Sequence, residues 1–373
     1  MTAAQGGDRV TYASAGVDTR AGDLAVELMK DAVRATHGPQ VLGGVGGFAG
    51  LYDISEARTY RRPLLATSTD GVGTKVAIAQ ALDVHDTIGY DLVGMVVDDI
   101  VVVGARPLIM TDYIATGRVV PERVAAIVRG IAAACAETGT ALVGGETAEH
   151  PGLLGPDEYD VAGAATGLVE ADDVLGPDRV QVGDVVLAMA SSGLHSNGYS
   201  LVRRVLQVAG WGLERYDDEL GREVGIELLE PTRLYTRPCL DLAADTSAHL
   251  HALSHVTGGG LAANLARVLP RGTEAVVDRA SWVVPPVFDL VRRLGQVPWH
   301  DLEATLNLGV GMVAVVGRDG VDAALARLAS AGVPAWVLGE VRVDDGAEGP
   351  DIVRGAKGVN GGAVQLTGTY RVR

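Results

Sequence analysis

The stretch that decides the fold is residues 63–75, which read PLLATSTDGVGTK. The apolar run 64–66 predicts a buried strand, and the two glycines after it allow backbone conformations that a Cβ would forbid. Backbone N–H groups in such a turn can converge on an anion. Asp70 offers oxygen to a divalent cation, and Lys75 offers a point charge to a phosphate. The stretch therefore suits a metal-bound nucleotide phosphate, and a solvated polar turn is the alternative.

The composition indicates a folded protein with small-molecule ligands. The chain has 373 residues, enough for two or three domains, and 47% hydrophobic with 21% charged residues is typical of globular proteins. The formal net charge of −16 argues against a nucleic-acid partner and against an anionic membrane surface. The N-terminus lacks a signal-peptide pattern, and charges interrupt the most apolar stretch, 92–110. We therefore expect a cytoplasmic protein with no membrane span.

Upstream of this stretch, the pattern predicts a helix and then a glycine-rich segment. The helix is expected from Asp23, as its N-cap, through Arg34, and it carries Lys30. Residues 41–48 read VLGGVGGF and contain too many glycines for a stable helix or strand. The segment is either a flexible linker or a loop that closes over phosphates.

Downstream, two acidic features stand out. Asp98 and Asp99 are adjacent within the apolar run 96–103, where carboxylates are costly to bury unless they are paired or bind a metal. We favour a ligand role for at least one of them, and an acid pair at a helix end is the alternative. A short strand at 140–143 is followed by GGETAE, which places Glu146 in a second strand-to-loop element like the one at Asp70.

The second half of the chain contains two glycine-rich turns that each precede a predicted helix. The strand Val185–Ala190 leads into SSGLHSNGYS at 191–200, and VTGGG at 256–260 precedes a helix over 261–269. The first N–H groups of a helix lack backbone partners and can bind anions, although each turn can also be a plain N-cap. His195 lies in the first turn, where it can donate to a phosphate or act as an acid or base near neutral pH.

The alternation of strand and helix patterns predicts an α/β or α+β architecture. Charged residues and a Gly-Pro pair interrupt the pattern at 171–180. We expect domains at 1–172 and 173–345. Residues 346–373 carry glycines and acids without a sustained period, so we expect a tail of uncertain order.

Together these elements resemble the phosphoribosylformylglycinamidine cyclo-ligases, or AIR synthetases. The matching stretches run in order over about 300 residues. They are YASAGVD at 12–18, GGVGGF at 43–48, STDGVGTK at 68–75, HDTIGYDLVGMVVDD at 85–99, DYIATG at 112–117, LVGGETAEHPG at 142–152, YDVAG at 159–163, SSGLHSNGYSLVR at 191–203, PTRLY at 231–235, HVTGGG at 255–260 and TLNLGVGM at 305–312. The stretch after about 345 lies outside the resemblance.

The resemblance implies a fold, a reaction and a partner. The fold is α/β (α+β) with two domains, in which the N-terminal sheet pairs with that of a second copy to form a barrel at a homodimer interface. The reaction is the ATP- and Mg²⁺-dependent closure of formylglycinamidine ribonucleotide to aminoimidazole ribonucleotide, with release of ADP and phosphate.

The resemblance also implies roles for individual residues. Asp70, Asp99 and Glu146 would bind the metal, with Glu146 the weakest ligand, and Lys75 and His195 would be catalytic. The ATP-binding set is Lys30, Gly43, Gly44, Gly46, Gly47, Asp70, Gly71, Gly73, Thr74 and Lys75, in which Gly43 to Gly47 form a mobile cover. The substrate-binding set is His195, Ser196, Asn197, Thr257, Gly258, Gly259, Gly260 and Asn307.

The chain departs from the family pattern at two positions. Asp98 stands where the family commonly has Asn, and Arg106 stands where it commonly has an acid, so we expect the two to offset each other. Within the superfamily, the alternatives are selenophosphate synthetase, thiamine-phosphate kinase, the hydrogenase-maturation dehydratase and the amidotransferase. The first needs an N-terminal Cys and the dehydratase a C-terminal Cys, which this chain lacks; the amidotransferase is longer or split. A non-catalytic nucleotide-binding subunit is the alternative from another class.

Overall fold

The computed structural model describes residues 19–44, 46–356 and 358–372. It has two main sheets, each with helices, and the first begins with the stretch quoted above. This sheet has four strands in the order β3-β6-β4-β5. Its strands are β3 (Pro63–Gly71), β4 (Arg106–Thr116), β5 (Ala141–Glu149) and β6 (Tyr159–Glu170). Only β4 and β5 pair in parallel, so the sheet is mixed.

Four helices and a short hairpin accompany this sheet. They are α1 (Thr19–Ala35), α2 (Val76–Leu82), α3 (Ile88–Val101), α4 (Pro121–Thr138), β1 (Val41–Leu42) and β2 (Leu51–Tyr52). The hairpin strands flank the glycine-rich segment. Of the 14 residues of α3, 12 are buried, because this helix packs against β3, β6, α4 and also a helix of the second half. Proline at a first helical turn and apolar residues in helical register predict a helix over 121–138 from the sequence, and α4 confirms it.

The second sheet has seven strands in the order β10-β12-β7-β13-β11-β15-β14. They are β7 (Val185–Ala190), β10 (Leu250–His255), β11 (Thr273–Asp278), β12 (Val310–Val316), β13 (Ala335–Val343), β14 (Ile352–Ala356) and β15 (Val359–Thr367). A small hairpin consists of β8 (Tyr216–Asp217) and β9 (Arg222–Glu223). The helices are α5 (Tyr199–Ala209), α6 (Val224–Leu228), α7 (Thr236–Ala244), α8 (Gly260–Leu265), α9 (Pro286–Gly295), α10 (Trp299–Glu303) and α11 (Val321–Ser330). The mixed α/β architecture is as predicted.

Several sequence predictions need correction. The strand at 64–66 is not buried, because β3 is an edge strand with alternating exposure, and Leu65 is 66% exposed. The first helix begins at Thr19, ahead of Asp23. The strand expected to end at 143 continues to Glu149, so Glu146 lies within β5 and not in a loop. The helix expected over 261–269 ends as α8 at Leu265 and continues as a short 3₁₀ turn.

The expectation of a tail beyond 345 is wrong, because β14 and β15 complete the second sheet and β15 pairs in parallel with β11. The glycines of β15 allow close packing. A Cβ on Gly361 would lie 2.1 Å from the backbone oxygen of Ala266, and one on Gly362 would lie 2.6 Å from that of Thr273. The glycine content of this region therefore reflects strand packing.

Among the described residues, none of the helices has the combination of length and apolar character that crossing a bilayer requires.

Candidate active-site cleft

A cavity of about 270 Å³ lies between the two halves of the chain, at the end of β3. Its lining residues come from the turn after β3, from α3, from the start of β6 and from the loop before α5. They are Asp70, Gly71, Val72, Gly73, Met95, Asp160, Ser196 and Asn197. The structure thus brings together the two turns that the sequence placed 120 residues apart. We call this space the interdomain cavity.

Two exposed carboxylates line the interdomain cavity. Asp70 accepts a hydrogen bond from the Gly71 N–H at 2.8 Å through Oδ1. Asp160 accepts from the Val161 N–H at 2.9 Å, also through Oδ1. Each carboxylate is therefore oriented by its own backbone, and its Oδ2 atom remains for a ligand. Carboxylate oxygens at the rim of an open cavity suit a hard divalent cation.

The turn after Asp70 has the backbone freedom that an anion site requires. Gly73 adopts a left-handed conformation, with φ +72°, and a Cβ built there meets no atom within 4 Å. Thr74 is exposed, and its hydroxyl lies 3.1 Å from that of Ser200 at the start of α5. The turn is therefore open on the cavity side and already touches the second domain.

Lys75 does not lie where the sequence predicted. Its side chain is fully buried, and Nζ donates to Asp91 Oδ1 and to the Glu230 carbonyl, both at 2.7 Å. Burial lowers the pKa of Lys75 and raises that of Asp91, against the attraction between the two. An ammonium held in this way cannot also bind a phosphate in the cavity. The phosphate-binding and catalytic roles expected for Lys75 are therefore corrected to a buried pair.

His195 lies in the loop before α5 and is 1% exposed. Nε2 accepts a hydrogen bond from the Ser192 N–H at 3.2 Å, while the buried Nδ1 atom has no protein partner in the described part of the chain. Burial, together with the charges of His255, Lys75 and Arg233, holds the pKa of His195 well below its usual value. The ring is therefore neutral near pH 7, with Nδ1–H left to donate. The expectation of an acid or base titrating near neutrality is corrected accordingly.

The next residues of this loop meet the second glycine turn. Ser196 and Asn197 line the interdomain cavity. A Cβ on Gly258 would lie 3.3 Å from Asn197 Oδ1, so the turn at 257–259 packs beside the loop. Gly260 serves packing, because a Cβ there would lie 1.8 Å from the Glu303 carbonyl oxygen. Of the predicted substrate set, Ser196 and Asn197 line the cavity and Gly258 lies beside Asn197, with Thr257 and Gly259 next to it in the chain, while Gly260 packs against α10.

Asn307 also has a structural environment. It is 4% exposed, its amide donates to the Gly193 carbonyl at 2.9 Å, and its Oδ1 accepts from the Gly309 N–H at 2.8 Å and from the Ser191 hydroxyl at 3.2 Å. These bonds engage both ends of the side chain. The structure therefore places Asn307 as the support of the 191–193 loop, not as a free group in the cleft.

Asp98 and Asp99, the adjacent acids of α3, differ in burial and in their hydrogen-bond partners. Asp98 is fully buried and accepts from the Tyr235 N–H at 3.0 Å and from the Thr236 hydroxyl at 2.6 Å. Burial raises its pKa to about 6, against the opposing effects of His255 and of these bonds. The expected offset of Asp98 by Arg106 is wrong, because the Arg106 guanidinium pairs with Glu56. Asp98 is therefore a capping group at the start of α7.

The Asp99 side chain is 40% exposed, and its Oδ1 lies 2.9 Å from His255 Nδ1. Burial opposes protonation of His255, but Asp99, Asp98 and Asp70 together raise its pKa above the usual value. His255 Nε2 is buried and has no protein partner in the described residues. Asp99 therefore has one carboxylate oxygen left for a ligand, and it pairs with a histidine whose second ring nitrogen, Nε2, could also contact a ligand.

Glu146 lies apart from the interdomain cavity. It is in register with Tyr113, Ala162 and Gly71 across the sheet, three strand spacings or about 14 Å from β3. Within one chain, Glu146 and Asp70 therefore cannot ligate one ion. In the described part of the chain, the group of three metal-capable side chains within 4.8 Å of one another is Glu274, Asp344 and Asp345, on the second sheet.

A second cavity, of about 340 Å³, lies between α1 and the β5 side of the first sheet. Its lining includes Gly44, Gly46, Gly47, Asp112 and Glu146. The glycine-rich segment therefore does not cover the turn at 70–73 within one chain. Lys30 is on α1 and pairs with Glu27 at 3.4 Å, with a third of its side chain exposed.

Sequence reasoning missed two residues of the cleft. Asp160 has no role assigned from the sequence, and the available signal was an acid near the start of a strand that is otherwise apolar or small. His255 is the last residue of β10, which reads LHALSH, and it precedes the glycine turn. Its partner Asp99 is 156 residues away, and no local pattern indicates that contact.

Comparison with known proteins assigns most of the chain to two family models. Residues 50–169 match the N-terminal domain of AIR synthase related proteins, and residues 181–350 match the C-terminal domain of the same proteins. Six curated relatives that are 43–47% identical are named phosphoribosylformylglycinamidine cyclo-ligase. One of them, from Geobacillus sp. (strain WCH70), is 47% identical over 336 residues, which is 90% of this chain and 96% of the relative.

Solved structures share the fold at low sequence identity. Thiamine-monophosphate kinase from Stenotrophomonas maltophilia K279a has a TM-score of 0.66 and 20% identity, covering 92% of this chain and 96% of its own. Hydrogenase maturation protein HypE in complex with ATP has a TM-score of 0.63 and 19% identity, covering 94% of this chain and 96% of its own. At this identity the two structures establish the common two-domain fold.

Proposed function

The chain belongs to the phosphoribosylformylglycinamidine cyclo-ligase family, and on that premise we propose how its interdomain cleft carries out the ring closure. The reaction converts formylglycinamidine ribonucleotide and ATP into aminoimidazole ribonucleotide, ADP and phosphate. The observation that supports this cleft as the site is the interdomain cavity, which joins the turn at 70–73 to the loop at 191–197.

The chemistry requires a poor leaving group to be activated. The formyl oxygen attacks the γ-phosphorus of ATP, so an O–P bond forms while the bond to ADP breaks. The ribose-bearing nitrogen then attacks the formyl carbon and loses its proton, and the C–O bond to phosphate breaks. The protein has to position the reactants and offset charge, and it needs no covalent intermediate of its own.

The turn at 70–73 is proposed to bind the triphosphate. Asp70 is the first cation ligand, Asp160 is a second candidate from the same cavity, and Asp99 reaches the cation through its exposed oxygen. This set of carboxylate oxygens fits Mg²⁺, which when bound reduces the negative charge on the phosphates. The N–H groups around Gly71 and Gly73, and the Thr74 hydroxyl, bind phosphate oxygens. Because the glycine-rich segment does not reach this turn within one chain, its role as a mobile cover and the nucleotide-side role of Lys30 are proposed for a site completed by the second subunit.

The loop at 191–197 is proposed to bind the substrate. Neutral His195 donates from Nδ1, and Ser196 and Asn197 offer polar groups at the cavity wall. The turn at 257–259 packs beside them and completes a site for the 5′-phosphate. The polar atoms left without protein partners in this region, His195 Nδ1 and His255 Nε2, favour this assignment because buried polar atoms normally find partners.

We also propose that the exposed face of the first sheet forms a homodimer. Leu65 is 66% exposed and Tyr113 is 41% exposed on this sheet, and exposed apolar strand faces are typical of interfaces. Leu65→Glu is expected to convert the dimer to a monomer in analytical ultracentrifugation. Val208→Glu, which changes an apolar residue on α5 that is 65% exposed, is the matched control. A monomeric wild type, or a dimer that survives Leu65→Glu, would remove the proposal.

The function is tested by coupled ADP release from the purified protein. We expect turnover with formylglycinamidine ribonucleotide as acceptor and a background rate with thiamine phosphate or selenide. The product should be confirmed as aminoimidazole ribonucleotide by mass spectrometry. ADP release that depends on thiamine phosphate or selenide, and not on the formylglycinamidine, would reassign the site.

A further inference from the structure

We propose that the buried Lys75–Asp91 pair is a positioning device that couples the nucleotide turn to the substrate loop through residues 230–236. We call residues 230–236 the linking segment. The proposal rests on the function proposed above, since it assigns ATP to the turn and formylglycinamidine ribonucleotide to the loop. It gives Lys75 and Asp91 an indirect role, because neither side chain lines the interdomain cavity.

The pair joins the turn to the linking segment at its first residues. Lys75 directly follows the turn, and its Nζ contacts both Asp91 on α3 and the Glu230 carbonyl. Asp91 Oδ1 also accepts from the Thr232 N–H at 3.0 Å and from the Thr232 hydroxyl at 2.6 Å. Lys75 and Asp91 are both fully buried. Any shift of the turn therefore acts on a segment of the other half of the chain.

Helix α3 holds the linking segment at a second point. Asp98 lies two helical turns after Asp91, on the same side of α3, and accepts from Tyr235 N–H and the Thr236 hydroxyl. Between them, Gly94 allows close approach, because a Cβ there would lie 2.6 Å from Thr232 Cγ2. The segment is thus fixed along one helix face by two carboxylates.

The opposite side of the linking segment holds the substrate loop. The Ser192 hydroxyl donates to the Pro231 carbonyl at 2.6 Å and accepts from the Arg233 N–H at 3.0 Å. The Tyr235 hydroxyl donates to the Ala190 carbonyl at 2.8 Å, and the Ser196 hydroxyl lies 3.5 Å from that of Thr232. A continuous chain of hydrogen bonds therefore runs from Lys75 to residues on both sides of His195.

Stability alone does not account for this pair. A buried ion pair costs desolvation, and neutral packing of similar volume is often as stable or more stable. Asp91 Oδ2 is buried without a partner in the described residues, which adds to that cost. A role in holding two ligand loops at a fixed distance gives a reason to keep the pair, in line with the use of buried polar groups to specify geometry.

The test measures the coupling between the two ligands. The affinity for a non-hydrolysable ATP analogue with Mg²⁺ is determined by calorimetry, with and without saturating formylglycinamidine ribonucleotide. For the wild type we expect the acceptor to raise the affinity for the analogue at least about fivefold, the lower end of typical coupling between sites.

The informative variant is the double change Lys75→Met/Asp91→Asn, which removes both charges and keeps an acceptor for Thr232. We expect it to fold, to bind each ligand alone within about threefold of wild type, and to lose the coupling. Asp184→Asn is the matched control, because Asp184 is a buried carboxylate that pairs with His251 at 2.7 Å away from the linking segment. It should keep the wild-type coupling.

Thr232→Val is the second variant, because it is nearly isosteric and removes the hydroxyl contacts of Thr232 with Asp91 and with Ser196, which are two links of the proposed chain. If the double variant does not fold, an intermediate coupling in Thr232→Val supports the proposal and an unchanged coupling overturns it. Wild-type coupling in a folded double variant, or no coupling in the wild type, overturns it as well. A wild type without acceptor-dependent ADP release would instead remove the proposed function, and this inference with it.

Discussion

Two sets of aspartates, one lining the interdomain cavity and one buried on α3, lie in opposite environments. Asp70 and Asp160 are exposed at the interdomain cavity, and their Oδ1 atoms are held only by the backbone N–H of the following residue. Asp91 and Asp98 on α3 are fully buried, and their bonds go to Thr232, Tyr235, Thr236 and Lys75. The first set can exchange water for a cation, whereas the second set is occupied by the protein.

This difference in burial separates carboxylates that can bind a ligand from carboxylates that hold parts of the protein together. Asp70 and Asp160 lie near the ends of β3 and β6, where the strands border the cavity, and both stay exposed. An acid within the apolar run of a helix can be buried only with donors around it. We therefore expect the chemical step to depend on the first set, stability to depend on Asp98, and the coupling between the two ligands to depend on Asp91.

Among these predictions, the largest effect is the loss of activity that we expect from Asp70→Asn. The amide keeps the size of the side chain and removes the charge that a Mg²⁺ ligand needs, so kcat should fall at least about 100-fold. The melting temperature should stay within about 2 °C of wild type, since the side chain is exposed. Steady-state ADP release and calorimetry measure the two quantities, with Asp218→Asn, an exposed acid elsewhere, as the control. Full activity in Asp70→Asn would refute the assignment.

The second effect concerns stability and pH. Because burial raises the pKa of Asp98 to about 6, the folded state holds its proton more tightly than the unfolded state. The resulting stabilisation is complete below the unfolded pKa near 4 and is lost as the pH rises through about 6, a change of about 3 kcal/mol. The stability of Asp98→Asn relative to wild type should therefore increase between pH 4 and pH 7.

This difference is measured by urea unfolding of both proteins at each pH. The comparison with Asp98→Asn cancels the pH dependence of groups that do not interact with Asp98; His255 does interact with it, so the difference reports Asp98 together with that coupling. A difference that does not change with pH would show that Asp98 has an ordinary pKa in the folded state and that its burial is not decisive.

The smallest effect is expected from Asp160→Asn, about tenfold in kcat/KM at limiting ATP. Asp160 shares the cavity with Asp70, but it lies at the start of β6 and contributes a second oxygen to the cation. The shift in Mg²⁺ dependence of ADP release would identify it as a ligand. If the variant has the Mg²⁺ dependence of wild type, Asp70 and Asp99 are left as the ligands.

The order of strands and helices was largely predictable from the sequence, because alternating apolar patterns and proline at a first helical turn are local signals. Helix α4 illustrates this, with its predicted and observed bounds both at 121 and 138. The C-terminal strands were not predictable, because the glycines of β15 fit against Ala266 and Thr273, which are distant in sequence. Single-chain patterns do not contain that information.

The glycine turns of the candidate site were predictable from the sequence, whereas the residues that pair with its charged side chains were not. The sequence singles out both turns as candidate sites, and residues 70–73 and 196–197 line the same cavity. The position of Lys75 depends on Asp91 and Glu230, and that of His255 depends on Asp99. These contacts form only in the folded protein, where α3 packs against the second half of the chain. The local sequence around a charged residue is therefore the same whether its side chain binds a ligand or pairs with a buried partner.

The most direct measurement is a crystal structure of the protein with a non-hydrolysable ATP analogue and Mg²⁺. We expect the triphosphate against the backbone of residues 70–73, with the cation on the Asp70 carboxylate and Lys75 still paired with Asp91. A triphosphate bound only in the cavity beneath the glycine segment at 43–47, with no ion at Asp70, would contradict the account.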